Sequence, residues 1–405
     1  MRAGWQTKSF GEILKKTETT NPLQSPESEF EYIDVSSVSN STFQIEETQS
    51  LKGKDAPSRA RKLVKANDIL FATIRPTLRR IAVVPEQLDN QVCSTGYFVL
   101  RPQEGIDYRF VFYWLFTEDF MGRMEQLQKG ASYPAVTDAE VRAQVIPFPP
   151  LPEQHRIVNI LDESFDGIAT AKANAEKNLK NAKALFESHL QSVFTQRGEG
   201  WEEELVGSVC DVKHGFAFDG AEFSSDVPAG NPIVITPGNF TEDGKLLFNE
   251  KNTKRFSGVT PVGYRFEVGD LVVVMTDLSS KMKILGKPAF VETNDLLHNQ
   301  RIGRVVFLNN RIEKRFLYYY MMGEQFLKSI KASATGTMVK HTAPKRILNN
   351  LIPFPPSRKE QQAIVAKLDS LRKDTQHLES IYQQKLTALD DLKKSLLHQA
   401  FSGEL

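Results

Sequence analysis

A chain of 405 residues, 40% of them hydrophobic, can bury the cores of two ordinary domains and still leave a helical part. Its 51 basic and 50 acidic side chains balance, so overall charge announces no nucleic-acid partner and any such surface has to be a local basic face. The two cysteines, Cys93 and Cys210, exclude a disulfide framework and a zinc pattern and make a reducing cytoplasm the simplest compartment. The apolar runs around Phe110–Phe116 and Leu271–Met275 are too short to span a bilayer, and no signal-peptide core opens the sequence.

Residues 1–152 read as a mixed α/β domain. Strands are predicted at Phe30–Val35, Ile69–Ile74, Ile81–Val84 and Tyr97–Leu100, and one buried helix at Arg109–Leu127. At Ile146-Pro-Phe-Pro-Pro150 prolines forbid helix, and the junction at 147–152 is expected to be a rigid hinge. Residues 153–199 then predict one long helix that stops near Gly198, with Gly167 as its weak point. Residues 200–357 repeat the first domain's plan with little identity. Asn67-Asp68-Ile69 and Val268-Gly269-Asp270-Leu271 each enter an apolar strand, and the aromatic run Phe110–Trp114 matches Phe316–Tyr320. Gly130-Ala-Ser-Tyr133 and Gly336-Thr-Met-Val339 fall in equivalent loops. Both aromatic runs have helical spacing and belong in a core. A second proline junction, Ile352-Pro-Phe-Pro-Pro356, opens the second long helix, 358–405, with a capping box at Ser357 and Glu360.

The two long segments are copies of one unit. Glu153-Gln154 aligns with Glu360-Gln361, Ile157-Val158 with Ile364-Val365 and Leu161-Asp162 with Leu368-Asp369. Leu185, Ser188, Leu190 and Phe194 then align with Leu392, Ser395, Leu397 and Phe401, without an insertion. In the second helix Ile364, Leu368, Leu371, Leu378, Tyr382, Leu389, Leu392 and Leu396 step by four and three, which predicts a coiled-coil seam completed by Thr375 and Lys385. The first helix offers Ala171, Ala175 and Ala182 with Ile157, Leu161, Ile168 and Leu185, a stripe small enough for a bulkier helix to approach. Connectivity predicts antiparallel pairing and returns Leu405 to the neighbourhood of Met1. Helices of that length span roughly 60 Å, and the two domains are expected at the ends of this spacer. The predicted fold is α/β (α+β): two tandem globular domains separated by two long antiparallel helices, with a pseudo-two-fold internal repeat.

Two dissimilar α/β domains, each followed by an "IPFPP…EQ…IV…LD" junction and a long helix, resemble the specificity (S) subunit of a type I restriction-modification system over essentially the whole chain. The resemblance implies that each domain is a target recognition domain for one half of a bipartite double-stranded DNA sequence. The helices would act as a ruler for the unread gap and as a platform for two methyltransferase (M) subunits, with restriction (R) subunits completing the nuclease. It also implies a non-catalytic chain, with S-adenosylmethionine, ATP and Mg2+ bound by the partners. It carries over no individual base-contacting residue, because such domains differ with the sequence they read.

The residues agree with the absence of chemistry. Phe148-Pro-Pro and Phe354-Pro-Pro lack the polar residue of an amino-methyltransferase motif. Gly238 to Gly244-Lys245 has one residue too many for a phosphate loop, and Leu246 stands where the magnesium-binding hydroxyl belongs. The seven histidines form no metal-ligand spacing. A nuclease fragment whose carboxylates gather from distant positions stays open, as does a scaffold whose end domains bind proteins or ligands.

DNA contact needs donors for phosphates and base edges on elements that reach a groove. In the first domain Arg75, Thr77, Arg79 and Arg80 lie on a proline-containing loop between two strands, and Thr276, Lys281 and Lys283 occupy the corresponding stretch of the second. The alternative there is a solvated strand connection. Ser132 and Tyr133, and Thr337, Lys340 and His341, flank the flexible glycines 130 and 336. Packing of these loops on their own domains is the competing reading. Gln300 and Arg301 form a further candidate pair, able to bond two-pronged to bases or to serve a strand edge.

Overall fold

The computed structural model describes residues 4–228 and 230–405; Met1, and with it the expected approach of Leu405 to that residue, lies outside them. The chain divides into two compact units. The first holds residues up to Lys177 together with Gln383–Leu405, and the second holds Asn178–Tyr382. Each unit therefore contains one globular domain and a stretch of both long helices, Leu151–Thr195 and Arg358–Ser402.

In the first unit a three-stranded antiparallel sheet has Ile69–Ala72 at its centre, between Ile81–Val83 and Tyr97–Leu100. Alternate residues of these strands serve two cores, as the two-residue period of a strand dictates. Ile69, Phe71, Ile81, Phe98 and Leu100 pack with Phe10, Phe110, Trp114 and Phe120, whereas Leu70, Ala72, Ala82, Tyr97 and Val99 pack with Ile33, Val38 and Cys93. The second face is covered by a four-stranded sheet in which Glu29–Ile33 and Val92–Ser94 run parallel. The second unit repeats this division: Leu271 and Val273 face the helices, and Val272 and Val274 face a core with Ile235 and Phe266.

The helix expected over Arg109–Leu127 is two, Tyr108–Trp114 and Glu118–Leu127. Thr117 separates them: its hydroxyl donates to the Trp114 carbonyl at 2.8 Å and accepts from the Phe120 amide at 3.2 Å. A threonine that can cap competes with helix continuation. Gly323 makes the same break between Lys314–Met322 and Glu324–Ala332. The aromatic rings of both helix pairs are core.

The proline junctions, expected as rigid hinges, form strands. Val145–Phe148 pairs antiparallel with Gln6–Ser9, and Leu351–Phe354 with Glu202–Leu205, placing Pro147 and Pro353 in two-stranded ribbons where a missing amide is tolerated. The repeated glutamine and aspartate then fasten each helix to its domain. Gln154, fully buried, accepts from the Asp107 amide (3.1 Å) and donates to the Pro149 carbonyl (2.9 Å). Gln361 does the same with the Glu313 amide (2.8 Å) and the Pro355 carbonyl (2.9 Å). Asp162 accepts from Tyr113 and, at 2.9 Å, from Arg109; Asp369 accepts from Tyr319 and, at 2.6 Å, from Arg315.

Within the first unit the two helical stretches run antiparallel: Arg156 donates to the Leu405 carbonyl (2.7 Å), Phe165 lies under Lys393 (4.8 Å) and Lys172 pairs with Asp390 (2.6 Å). Ile168, Ala175 and Ala182 are buried as the small-residue stripe requires, and Gly167 does not interrupt the helix. Half of the expected seam holds, with Leu368 and Thr375 buried and Tyr382 and Leu389 partly buried, and the other half moves on by one residue. Leu378, Leu392 and, on the first helix, Leu185 are exposed, while Arg372 and Lys393 take seam places beside the rings of Phe186 (5.9 Å) and Phe165 (4.8 Å). Long basic side chains bury their aliphatic stems, so a pattern read from apolar residues alone slips past them. Leu190 and Phe194 end the first helix in the second unit's core, with Phe194 5.3 Å from Phe316. Leu397, Ala400 and Phe401 end the second helix in the first unit's core, with Phe401 4.9 Å from Phe110.

Candidate nucleic-acid interface

In the first unit Thr73 follows the central strand, and its amide (2.9 Å) and hydroxyl (3.0 Å) both donate to the Gly96 carbonyl. The chain then leaves the sheet. Ile74 bridges Ala135, and the Arg75 amide donates to the Pro134 carbonyl at 2.7 Å, which joins the arginine loop to the glycine loop. Arg75 Nη2 donates to the Ser132 carbonyl at 3.3 Å, and its guanidinium lies 5.0 Å from the Tyr133 ring. Arg75, Thr77, Ser132 and Tyr133 are exposed, Tyr133 by 72%. Arg75 and Arg79 flank the short turn Pro76–Leu78 with φ of 50° and 53°. Left-handed backbone at a residue other than glycine costs about 1–3 kcal/mol and concentrates at functional loops. Gly130 (φ +106°) closes the partner loop, where a Cβ would stand 2.9 Å from the Tyr133 carbonyl oxygen.

The remaining arginines are engaged by the protein itself. Arg79 is half-buried and pairs with Glu118 at 3.4 Å. Arg80 donates through Nη1 to the carbonyls of Val35, Ser36 and Val38, and so braces the turn Val35–Ser37. Of the three arginines expected to contact DNA, only Arg75, with Tyr133 at its side, is exposed, while Arg79 is partly committed and Arg80 belongs to the scaffold.

The second unit builds the same frame. The Met275 amide donates to the Arg301 carbonyl (2.9 Å) and the Thr342 amide to the Met275 carbonyl (2.9 Å), as the Val136 amide does to that of Thr73. Thr276–Asp277 pairs antiparallel with Lys340–His341, so these candidates and the adjoining Gln300-Arg301 turn come to one edge. Thr276 is buried and its hydroxyl lies 3.0 Å from His341 Nδ1, a supporting position rather than an exposed one. Asp277, also buried, accepts from the amides of Ser279 (2.8 Å) and Ile284 (3.0 Å) and thereby shapes the loop that carries Lys281 and Lys283. Lys281 is exposed; Lys283 pairs with Glu242 at 2.7 Å, a partner that holds its ammonium pKa above the usual value. Thr337 is exposed on the glycine loop, and Lys340 Nζ donates to the Gly336 carbonyl at 2.8 Å. Gln300 and Arg301 are exposed beside His298, whose buried ring donates from Nε2 to the Ile302 carbonyl (2.8 Å). Burial lowers the His298 pKa to about 4.

Residues not singled out in the sequence also reach these edges. Arg59 is exposed and its carbonyl accepts from the Thr95 amide (2.9 Å), next to Gly96. Lys251 and Lys254 share a groove with Gln300 and Arg301. The spacing of two lysines around Asn252 in a turn was the available signal, and only the fold says what it faces.

A family model, "Type I restriction modification DNA specificity domain", matches this chain twice, over residues 2–181 and 198–388. The chain belongs to that family. Among curated members, the EcoBI specificity subunit of Escherichia coli is 25% identical over 55% of this chain and 43% of its own length. The MjaVIII specificity subunit of Methanocaldococcus jannaschii is 25% identical over 68% and 66%. The chain thus matches less than two thirds of the length of either. One solved structure, from work on complex assembly and conformational transition of the type I R-M system, superposes with a TM-score of 0.85 at 26% identity, covering 100% of this chain and 99% of that one. The HsdS subunit from Thermoanaerobacter tengcongensis gives 0.69 at 27%, covering 100% and 98%. The family's two-domain, paired-helix fold accordingly holds for this chain. No helix among the described residues is long and apolar enough to cross a membrane.

Proposed function

We propose that the chain reads a bipartite double-stranded DNA target, one half through each domain, and leaves an unread gap whose length the paired helices set. The observation that carries this reading is the recurrence of one frame with different side chains upon it. The edge that carries Arg75, Thr77 and Tyr133 in the first domain carries Lys281 and Lys340 in the second, with Arg301 in the place of Gly96. Base edges are told apart by donor and acceptor pattern, so unlike side chains on a common frame suit unlike half-sites. Leu185 and Leu392, equivalent positions of the repeat, are 52% and 46% exposed, so the two long helices present matching faces. Two methyltransferase (M) subunits would dock there, and restriction (R) subunits would join through the complex. The chain itself would perform no chemistry, and S-adenosylmethionine, ATP and Mg2+ would be held by those partners.

The test is to co-express the chain with its neighbouring methyltransferase subunit and map the modified bases on genomic DNA. A two-part motif with a fixed gap is expected, changed in one half only when one domain is exchanged. Methylation independent of this chain, or a continuous motif unaffected by the exchange, would sink the reading.

A further inference from the structure

We propose that the groove beside the Asn299–Arg301 turn of the second unit seats the phosphodiester backbone of a DNA strand, with Lys251, Lys254 and Arg301 clamping its phosphates. This rests on the DNA-reading function proposed above.

The groove encloses about 450 Å³ and draws its lining from segments far apart in sequence, including Thr236–Gly238, Lys251, Lys254, Leu278 and the Asn299–Arg301 turn. Among the described residues that line it none is acidic, in a chain whose charges balance overall. Phosphate oxygens accept from lysine, arginine and glutamine side chains, and this lining supplies Lys251, Lys254, Arg301 and Gln300. The lysine-bearing turn is fixed in advance. Asn252 Nδ2 donates to the carbonyls of Gly238 (3.0 Å) and Leu247 (2.9 Å), and the fully buried Asn239 donates to the Asn252 carbonyl (3.1 Å). Lys251 and Lys254 therefore project from a turn bolted to the groove floor, which lowers the ordering cost of a clamp.

The first unit fills the corresponding place with its own side chains. Its turn Val35–Ser37 occupies the place of Pro237–Asn239, but the Val35 side chain packs against Gly96 so closely that a Cβ there would stand 2.6 Å away. The Arg80 guanidinium covers the carbonyls of that turn. Where the first domain closes this space with its own side chains, the second leaves it open between cations.

The experiment compares the whole complex, carrying wild-type chain or the double variant Lys251→Ala/Lys254→Ala, on the mapped target duplex and on a scrambled duplex across 50 to 200 mM salt. Each lost phosphate contact removes about 0.9 from the slope of log affinity against log salt. The double variant should therefore weaken equally on both duplexes, and its affinity should fall roughly tenfold less than the wild type's over that range. Lys251→Arg/Lys254→Arg should restore the wild-type slope, which separates lost charge from lost folding. A selective wild type whose double variant keeps the full slope overturns the groove and leaves DNA reading intact. Loss confined to the target duplex makes the lysines base readers and overturns the phosphate assignment. A wild-type complex that does not distinguish the duplexes removes the DNA-reading function and this proposal with it.

Discussion

Thr73 in the first unit and Met275 in the second hold the same place in the backbone, each donating to the turn on one side and accepting from the glycine-loop strand on the other. From that shared frame the two surfaces diverge. The first ends in Gly96 and closes against Val35 and Arg80, leaving one arginine stacked beside one tyrosine. The second ends in Arg301 and stays open, with exposed cations spread over three segments. One frame has thus yielded a narrow, braced surface and a broad, charged one. The difference lies in which polar groups the protein uses up internally as much as in which it carries.

The sharpest break of this comparison lies beneath the readers. Asp68 is buried and bound by Arg101 through two 2.8 Å hydrogen bonds, whereas its equivalent Asp270 is held at 2.9 Å by Arg304, from another position on the neighbouring strand, in a pair that is partly exposed. Removing one partner of a buried pair strands the other, so Arg101→Ala should destabilise the first unit by about 3–5 kcal/mol. Arg304→Ala should cost the second about 1–2 kcal/mol, because water screens that pair. Denaturant melts of the whole chain would measure both, and equal losses would contradict the difference in burial.

A pH titration separates the units in a second way. The folded pKa of His298, about 4, lies below its ordinary 6.5, so the unfolded chain takes up a proton that the folded one refuses. Stability of the second unit is therefore full above pH 6.5 and falls as the pH drops toward 4, by up to roughly 3 kcal/mol. Melts at pH 7 and pH 5 should show the loss in wild type and a flatter profile in His298→Asn; identical profiles would refute the assignment.

The readers themselves give the smallest effects. Arg75→Ala should cost about 1–3 kcal/mol at one half-site if the contact is to a base, and equally on all sequences if it is to phosphate. Tyr133→Ala, which removes only the ring beside the guanidinium, should cost about 0.5–1 kcal/mol at the same half-site. Binding to duplexes altered in one half at a time would resolve both, and a Tyr133 effect at the other half-site would break the pairing with Arg75.

The repeat made the architecture legible: proline junctions, the glutamine and aspartate at fixed spacing, and a terminal phenylalanine in each copy all mark contacts now visible at Gln154, Asp162 and Phe194 and at their equivalents. The helix seam was misread where Arg372 and Lys393 take buried places, since charge conceals an aliphatic stem. At the candidate interface the sequence marked the loops but not their commitments. Arg75 and Arg80 are alike as letters, and only the carbonyls of Val35, Ser36 and Val38 tell them apart. Lys251 gained its meaning from Arg301, far along the chain, which no local pattern encodes.

The seating of Phe401 against Phe110 and Trp114 orders events during synthesis. Everything in the second unit leaves the ribosome before residues 383–405 do, so the first domain must wait, its aromatic helix uncovered, until the last part of the chain arrives to complete it. Closing so long a loop is slow, and the exposed rings invite association with other chains meanwhile. The domain made first is thus the one finished last, and a stalled or prematurely released chain would carry a complete second core beside an open first one.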